Sequence, residues 1–202
     1  MAAIAVLLAG GLARRMGGGD KGERLLAGRS LLAHAIARIG PQVAGMVLNA
    51  NGNAARLSAY GLPVVADPLP DFPGPLAGIL AGMRFAARHY PGAAQIVSVP
   101  ADTPFLPRDL VARLQAGAPL AVATSDRRTH PVVGLWPVAL ADDLEAALRA
   151  GQRKIDAWTA RHGVVEIAFP TDPIDPFFNI NTAADLAEAE RLLVRYPALG
   201  GH

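Results

Sequence analysis

The chain has 202 residues, 51% of them hydrophobic, with a mean hydropathy of +0.27: ample for the core of one α/β domain, 1–202, and short for two. Its 19 Lys and Arg against 17 Asp and Glu leave a net charge of +2, and aromatics are 5%, which excludes a basic nucleic-acid face or a base-stacking platform. No cysteine is present, so disulfides, thiolate metal sites and a cysteine nucleophile are excluded.

The first apolar run, about ten residues long, has its arginines after it; it is in the wrong order for a secretory signal and too short to span a bilayer, so a cytoplasmic protein without a membrane partner is expected. A strand is predicted over 3–8. It empties into a loop, 9–29, where Gly10, Gly11, Gly17, Gly18 and Gly19 let the backbone approach an anion and Arg14, Arg15 and Lys21 add charge. Such a loop suits a nucleoside triphosphate. Gly17 to Gly22 matches the dinucleotide fingerprint, but it lies far past the strand, and the next strand ends in Asn49-Ala50-Asn51 without the ribose-binding acid. Walker A fails as well, since Glu23 and Arg24 stand where Lys and Ser or Thr are required.

A helix over 30–39, capped by Ser30, a strand over 44–49 and a helix over 52–59 follow. The strand at 63–66 ends at Asp67, either a turn initiator before Pro68 or a site residue. After loop 67–75, Pro75 opens a helix over 75–89, so that Gly74 and the first-turn amides could read a purine edge. The strand at 95–99 runs into Pro100-Ala101-Asp102-Thr103-Pro104. Asp102, a single carboxylate at a strand's carboxyl end, suits Mg²⁺, the alternative being a turn former beside Thr103 and Pro104. Next come a helix over 107–116 with Pro107 as first residue, strands over 119–124 and 131–136, helices over 138–149 and 153–161, and a strand over 164–168. His130 is either structural or catalytic. Arg153-Lys154 either grips a second substrate's phosphate or opens a solvated helix. Asn179 and Asn181 precede a helix over 182–194 whose cap is Thr182 with Asp185 three residues on. Each Asn offers a donor and an acceptor for a ribose or a metal shell, or simply a cap. The alternation argues for a βαβ sheet, whose strand ends at the two long loops share one ligand-binding rim.

Taken in order, Leu8-Ala9-Gly10-Gly11, Arg15-Met16-Gly17-Gly18, Asp20-Lys21, Asn49-Ala50-Asn51, Asp67, Pro73 to Gly78, Pro100 to Pro104 and Asn179-Ile180-Asn181-Thr182 resemble the molybdenum cofactor guanylyltransferase family across almost the whole chain. The resemblance implies a three-layer αβα fold with a mostly parallel, Rossmann-like sheet of the nucleotide-diphospho-sugar transferase type. It implies transfer of GMP from GTP to molybdenum-bound molybdopterin, with pyrophosphate released. By carry-over, Leu8, Ala9, Gly10, Gly11, Lys21, Asn49, Asp67, Gly74, Pro75, Leu76, Asp102 and Asn179 hold the nucleotide, and Lys21, Arg15, Asp102 and Asn181 carry catalysis. Asp102 would bind Mg²⁺, with Mn²⁺ as a substitute. Partners implied are GTP, molybdenum-bound molybdopterin, other proteins of molybdenum-cofactor biosynthesis and molybdoenzyme acceptors, around a monomer. Molybdopterin cytidylyltransferase, sugar-1-phosphate nucleotidylyltransferase and a non-catalytic cofactor carrier are the alternatives; the glycine-bounded segment 74–78 favours guanine.

Overall fold

The structure, a computed structural model, describes residues 2–10, 21–69 and 74–200. Its centre is a seven-stranded sheet of β1 (Ile4–Leu8), β4 (Gly45–Asn49), β5 (Val64–Val65), β6 (Gln95–Pro100), β7 (Ala121–Ser125), β8 (Arg128–Pro137) and β9 (Val165–Ala168), in the order β5-β4-β1-β6-β8-β7-β9. All pairings are parallel except those of β8, which runs against both β6 and β7. Two-residue periodicity in β1 builds two cores. Ala5 and Leu7 face one layer with α1 (Leu31–Ile39) and α3 (Leu110–Gly117), while Ile4 and Val6 face α2 (Pro75–His89), α4 (Ala141–Arg149) and α5 (Ile155–Thr159). The last helix, α6 (Ala183–Arg195), buries Ala189 beside Leu26, Leu31, Phe105 and Ile180 in a third cluster. This is the expected αβα sheet.

Several expected boundaries shift for local reasons. Within the stretch expected to be irregular, β2 (Leu25–Leu26) and β3 (Arg29–Ser30) form a hairpin turned by Ala27 and Gly28, both at positive φ. Ser30 then caps α1 by accepting from the Ala33 amide at 3.1 Å. The helix expected at 52–59 is a 3₁₀ segment, Ala54–Tyr60. Pro107 lies before α3 instead of opening it; Gln42 takes over the helix start, accepting from Val111 N and donating to Pro107 O. Residues 138–140 and 160–162 are 3₁₀ turns beside α4 and α5. β8 begins at Arg128 because Asp126 and Arg127, both at positive φ, close a tight β7–β8 hairpin. His34, on α1, is buried, with its Nε2 2.9 Å from Leu26 O.

Candidate active site

Three strand ends lie level at the centre of the sheet, because Leu8 pairs with Asn49 on one side and Pro100 on the other. The ladder continues one step beyond them, with Ala9 N donating to Asn49 O (2.8 Å) and Ala101 N to Leu8 O (3.2 Å). The backbone of 8–10 is thereby fixed between the two segments that carry the polar residues. Two depressions open on this rim, of about 350 and 300 Å³, and share Leu8 and Val132.

The larger one holds Lys21, Asp102, Asn179 and Asn181, residues up to 160 positions apart in sequence. Lys21 Nζ lies 3.3 Å from Asp102 Oδ2 and also donates to Asn181 Oδ1. Asn179 donates to Asp102 Oδ1 at 2.8 Å and accepts from Asn181 Nδ2. Burial pushes the Asp102 carboxyl up from its ordinary range, against the opposing pull of Lys21 and Asn179. Asn179 and Asn181 flank Ile180, which is fully buried and whose amide donates to Asp102 O at 3.1 Å. Immediately after them, α6 starts with the expected capping box. Asp185 accepts from the amides of Asn181 (2.9 Å) and Thr182 (2.8 Å), and Thr182 accepts in return from Asp185 N. Those amides hold the Asp185 carboxyl below its usual range.

The smaller depression is lined by Gly10, Asn49, Asn51, Asp67, Gly74 and Pro75 besides the shared residues. Asp67 accepts from Asn49 Nδ2 (2.9 Å) at one oxygen and from Asn51 Nδ2 (2.7 Å) at the other, and its amide donates to Asn51 Oδ1. Pro75 is the first residue of α2 and Gly74, at φ +139°, its cap. Leu76 sends its side chain into the core and lines neither depression. Gly78, at the end of the glycine-bounded segment 74–78, lies within α2 as a packing residue: a Cβ there would come within 2.3 Å of Asn49 Oδ1 and 2.6 Å of Leu8 Cδ2. Gly11 and Arg15 lie outside the described residues, as do the other residues of segments 11–20 and 70–73.

The larger depression also contains residues that no spacing in the sequence exposed. Arg128, Thr129, Pro131, Val132 and Val133 line it with His130, brought there by the reversed direction of β8, and Phe177 reaches it from the segment before α6. Arg153 instead donates to Leu148 O and Gln152 O at the end of α4, and neither it nor Lys154 lines either depression.

Among the described residues no three His, Asp or Glu side chains converge as a self-sufficient metal site. Asp102 nevertheless fits Mg²⁺ in its usual mode, one carboxylate supplemented by water and substrate phosphates. Among the described residues each of its oxygens accepts one bond from another side chain, and a carboxylate offers about four lone-pair sites, so room remains for a cation.

The model of the MobA-like NTP transferase domain matches residues 5–165. The chain belongs to that family. It is 60% identical over 193 residues to the molybdenum cofactor guanylyltransferase of Bradyrhizobium sp., covering 93% of this chain and 91% of that protein. It is 55% identical to the protein of the same name from Nitrobacter hamburgensis, covering 93% and 92%. Among solved structures, that of molybdopterin-guanine dinucleotide biosynthesis protein A from Archaeoglobus fulgidus superposes with a TM-score of 0.72 at 28% identity, covering 95% of this chain and 99% of the other.

Proposed function

We propose that this chain transfers GMP from GTP to the terminal phosphate of molybdenum-bound molybdopterin, as the names of its relatives indicate. The observation that carries the reading is the placement of Lys21, Asp102, Asn179 and Asn181 in a depression that shares Leu8 and Val132 with the Asn49–Asp67 depression. In this reading the nucleoside lies against Asn49, Asn51, Asp67 and the start of α2, its triphosphate crosses Leu8, Ala9 and Gly10, and the acceptor enters over His130 and Phe177.

A phosphate oxygen of the acceptor attacks the α-phosphorus as the bond to the bridging oxygen of pyrophosphate breaks. The attacking group is already anionic, so positioning replaces a general base. Bringing two polyanions together is the main obstacle, and the chain meets it with Lys21, Arg15 and the amides after β1. Lys21 rests between Asp102 and Asn181; an arriving phosphate competes for the ammonium, whose charge matters most as negative charge grows on the leaving oxygen. Asn179 and Asn181, steadied by the α6 cap, orient the acceptor without adding charge. Mg²⁺ held by Asp102, or Mn²⁺ in its place, would neutralise phosphoryl oxygens and the departing pyrophosphate. We take the chain to act as a monomeric, cytoplasmic, single-domain enzyme that delivers its product to molybdoenzymes or other proteins of the same biosynthesis.

The test offers α-labelled GTP, CTP and ATP separately with molybdenum-bound molybdopterin and Mg²⁺. Label should pass to the pterin from GTP at least tenfold faster than from CTP or ATP, since a polar site fitted to one base leaves groups unpaired with another. Preferred transfer from CTP would assign the cytidylyl reaction, and retention of every nucleotide without turnover would make the chain a carrier.

A further inference from the structure

The far wall of the larger depression is made by a break in the sheet. Between the pairs Val122↔Gly134 and Ala123↔His130, β7 advances one residue while β8 advances four, so Pro131, Val132 and Val133 bulge from the ladder. The bulge is pinned from inside: buried Ser98 donates to Val132 O at 2.6 Å and accepts from Trp136 Nε1 at 2.8 Å. His130 stands at its foot, in the cavity, with its ring 4.7 Å from that of Phe177.

The orientation of this ring is set by what lies behind it. His130 Nε2 is 2.6 Å from Ser125 Oγ, and Ser125, buried, donates to Asp175 Oδ1 at 2.9 Å. Asp175 is held in turn by the amide of Phe177 at 2.9 Å. A hydroxyl has one proton; with that proton given to Asp175, Ser125 Oγ accepts from His130, so Nε2 carries the hydrogen. The other ring nitrogen, Nδ1, is then a bare acceptor with no partner among the described residues. Burial favours the neutral ring, and the neighbouring charges of Asp175 and Arg128 oppose one another there.

The cavity therefore has two chemically distinct ends. Lys21, Asp102, Asn179 and Asn181 suit a phosphate, whereas Pro131, Val132, Val133 and Phe177 offer apolar walls around a single hydrogen-bond acceptor. We propose that His130, held by Ser125 and Asp175, is a specificity-determining residue for the second substrate, accepting at Nδ1 an N–H of that substrate's flat heterocycle. The proposal rests on the reading above that this substrate is a pterin phosphate.

Steady-state kinetics with each substrate varied at saturation of the other, together with equilibrium dialysis of molybdopterin, test it. His130→Ala should raise the acceptor KM and the molybdopterin Kd about tenfold, the loss expected for one hydrogen bond, and leave the GTP KM within about twofold. His130→Asn, whose amide oxygen falls near the place of Nδ1, should recover most of this; His130→Gln, which reaches the place of Nε2, should not. Ser125→Ala, which frees the ring to turn, should raise the acceptor KM without moving that for GTP. An acceptor KM and Kd within twofold of wild type in His130→Ala, equal rises in both KM values, or equal behaviour of the Asn and Gln variants would overturn the assignment. If the wild type binds molybdopterin but transfers no GMP, the proposed reaction fails while the dialysis still decides the role of His130; if it binds none, both fail.

Discussion

Gly78→Ala is a small change with a large predicted effect. In α2 an alanine at an open position would stabilise the helix by about 1 kcal/mol. Here the added Cβ would meet Asn49 Oδ1 at 2.3 Å, Leu8 Cδ2 at 2.6 Å and Asn49 Cγ at 3.0 Å, all on the rim between the two depressions. Overpacking of this kind costs about 1–3 kcal/mol. If Asn49 swings aside it also gives up its bonds to Asp67 (2.9 Å) and Val65 O (3.3 Å), at about 0.5–1.5 kcal/mol each. The propensity gain offsets only part of this, which leaves a net loss of about 2 kcal/mol and a Tm lower by roughly 4–8 °C for a chain of this size. GTP affinity should fall about tenfold with it, because a displaced Asn49 also loosens Asp67. Thermal denaturation and nucleotide titration of Gly78→Ala check both, with Gly92→Ala as the control, since a Cβ at Gly92 meets nothing within 4 Å. A Gly78→Ala protein as stable as wild type and with unchanged GTP affinity would refute the argument that this contact positions Asn49.

Two further outcomes follow from the site and the core. Asp102→Asn should keep the fold, since a neutral side chain relieves the burial that opposes the carboxylate, but slow single-turnover GMP transfer about a thousandfold or more; transfer within threefold of wild type at limiting Mg²⁺ would make Asp102 a turn residue. Burial lowers the His34 pKa below its ordinary 6.5, so the folded state resists a proton that the unfolded chain accepts: its stabilisation is complete above about pH 6.5 and is lost as pH falls through the folded value. His34→Gln, which can still donate to Leu26 O, should therefore show a flatter Tm between pH 7 and 5 than wild type, and parallel curves would place the titration elsewhere.

The central strands and the rim were legible because β1, β4 and β6 read as apolar runs, with Asn49 at the end of β4 and Asp102 two residues past β6. Asn49, Asp67 and Asp102 could be chosen as polar residues at strand ends, whereas Asn179 and Asn181 stand out beside a helix start and through the resemblance. What the sequence concealed were direction and depth. Nothing in the run from Pro131 to Trp136 says that β8 is antiparallel, yet that reversal is what carries Arg128, Thr129 and His130 to the rim and pairs His130 with Ser125 and Asp175. Gly78 reads in the sequence only as one bound of the segment 74–78, because a glycine's reason for being small is invisible until the neighbouring strand is in place. Pro107 met the rule for a helix start, but Gln42, from a distant turn, supplied the competing partner.

The C-terminal segment binds these levels together. Ile180 gives its side chain to the cluster under α6 and its amide to Asp102 O, while the residues on either side of it reach Asp102 Oδ1 and Lys21. Asp185 fixes the same stretch from the helix side through the amides of Asn181 and Thr182. The cap of α6 is thus a structural part of the site: whatever loosens that first turn also frees both asparagines and removes two of the partners that hold Lys21 and Asp102 in register. An apparently local helix start far from β1 in sequence therefore sets how the central carboxylate and its lysine are held, which is why Asn179-Ile180-Asn181-Thr182 works as one unit.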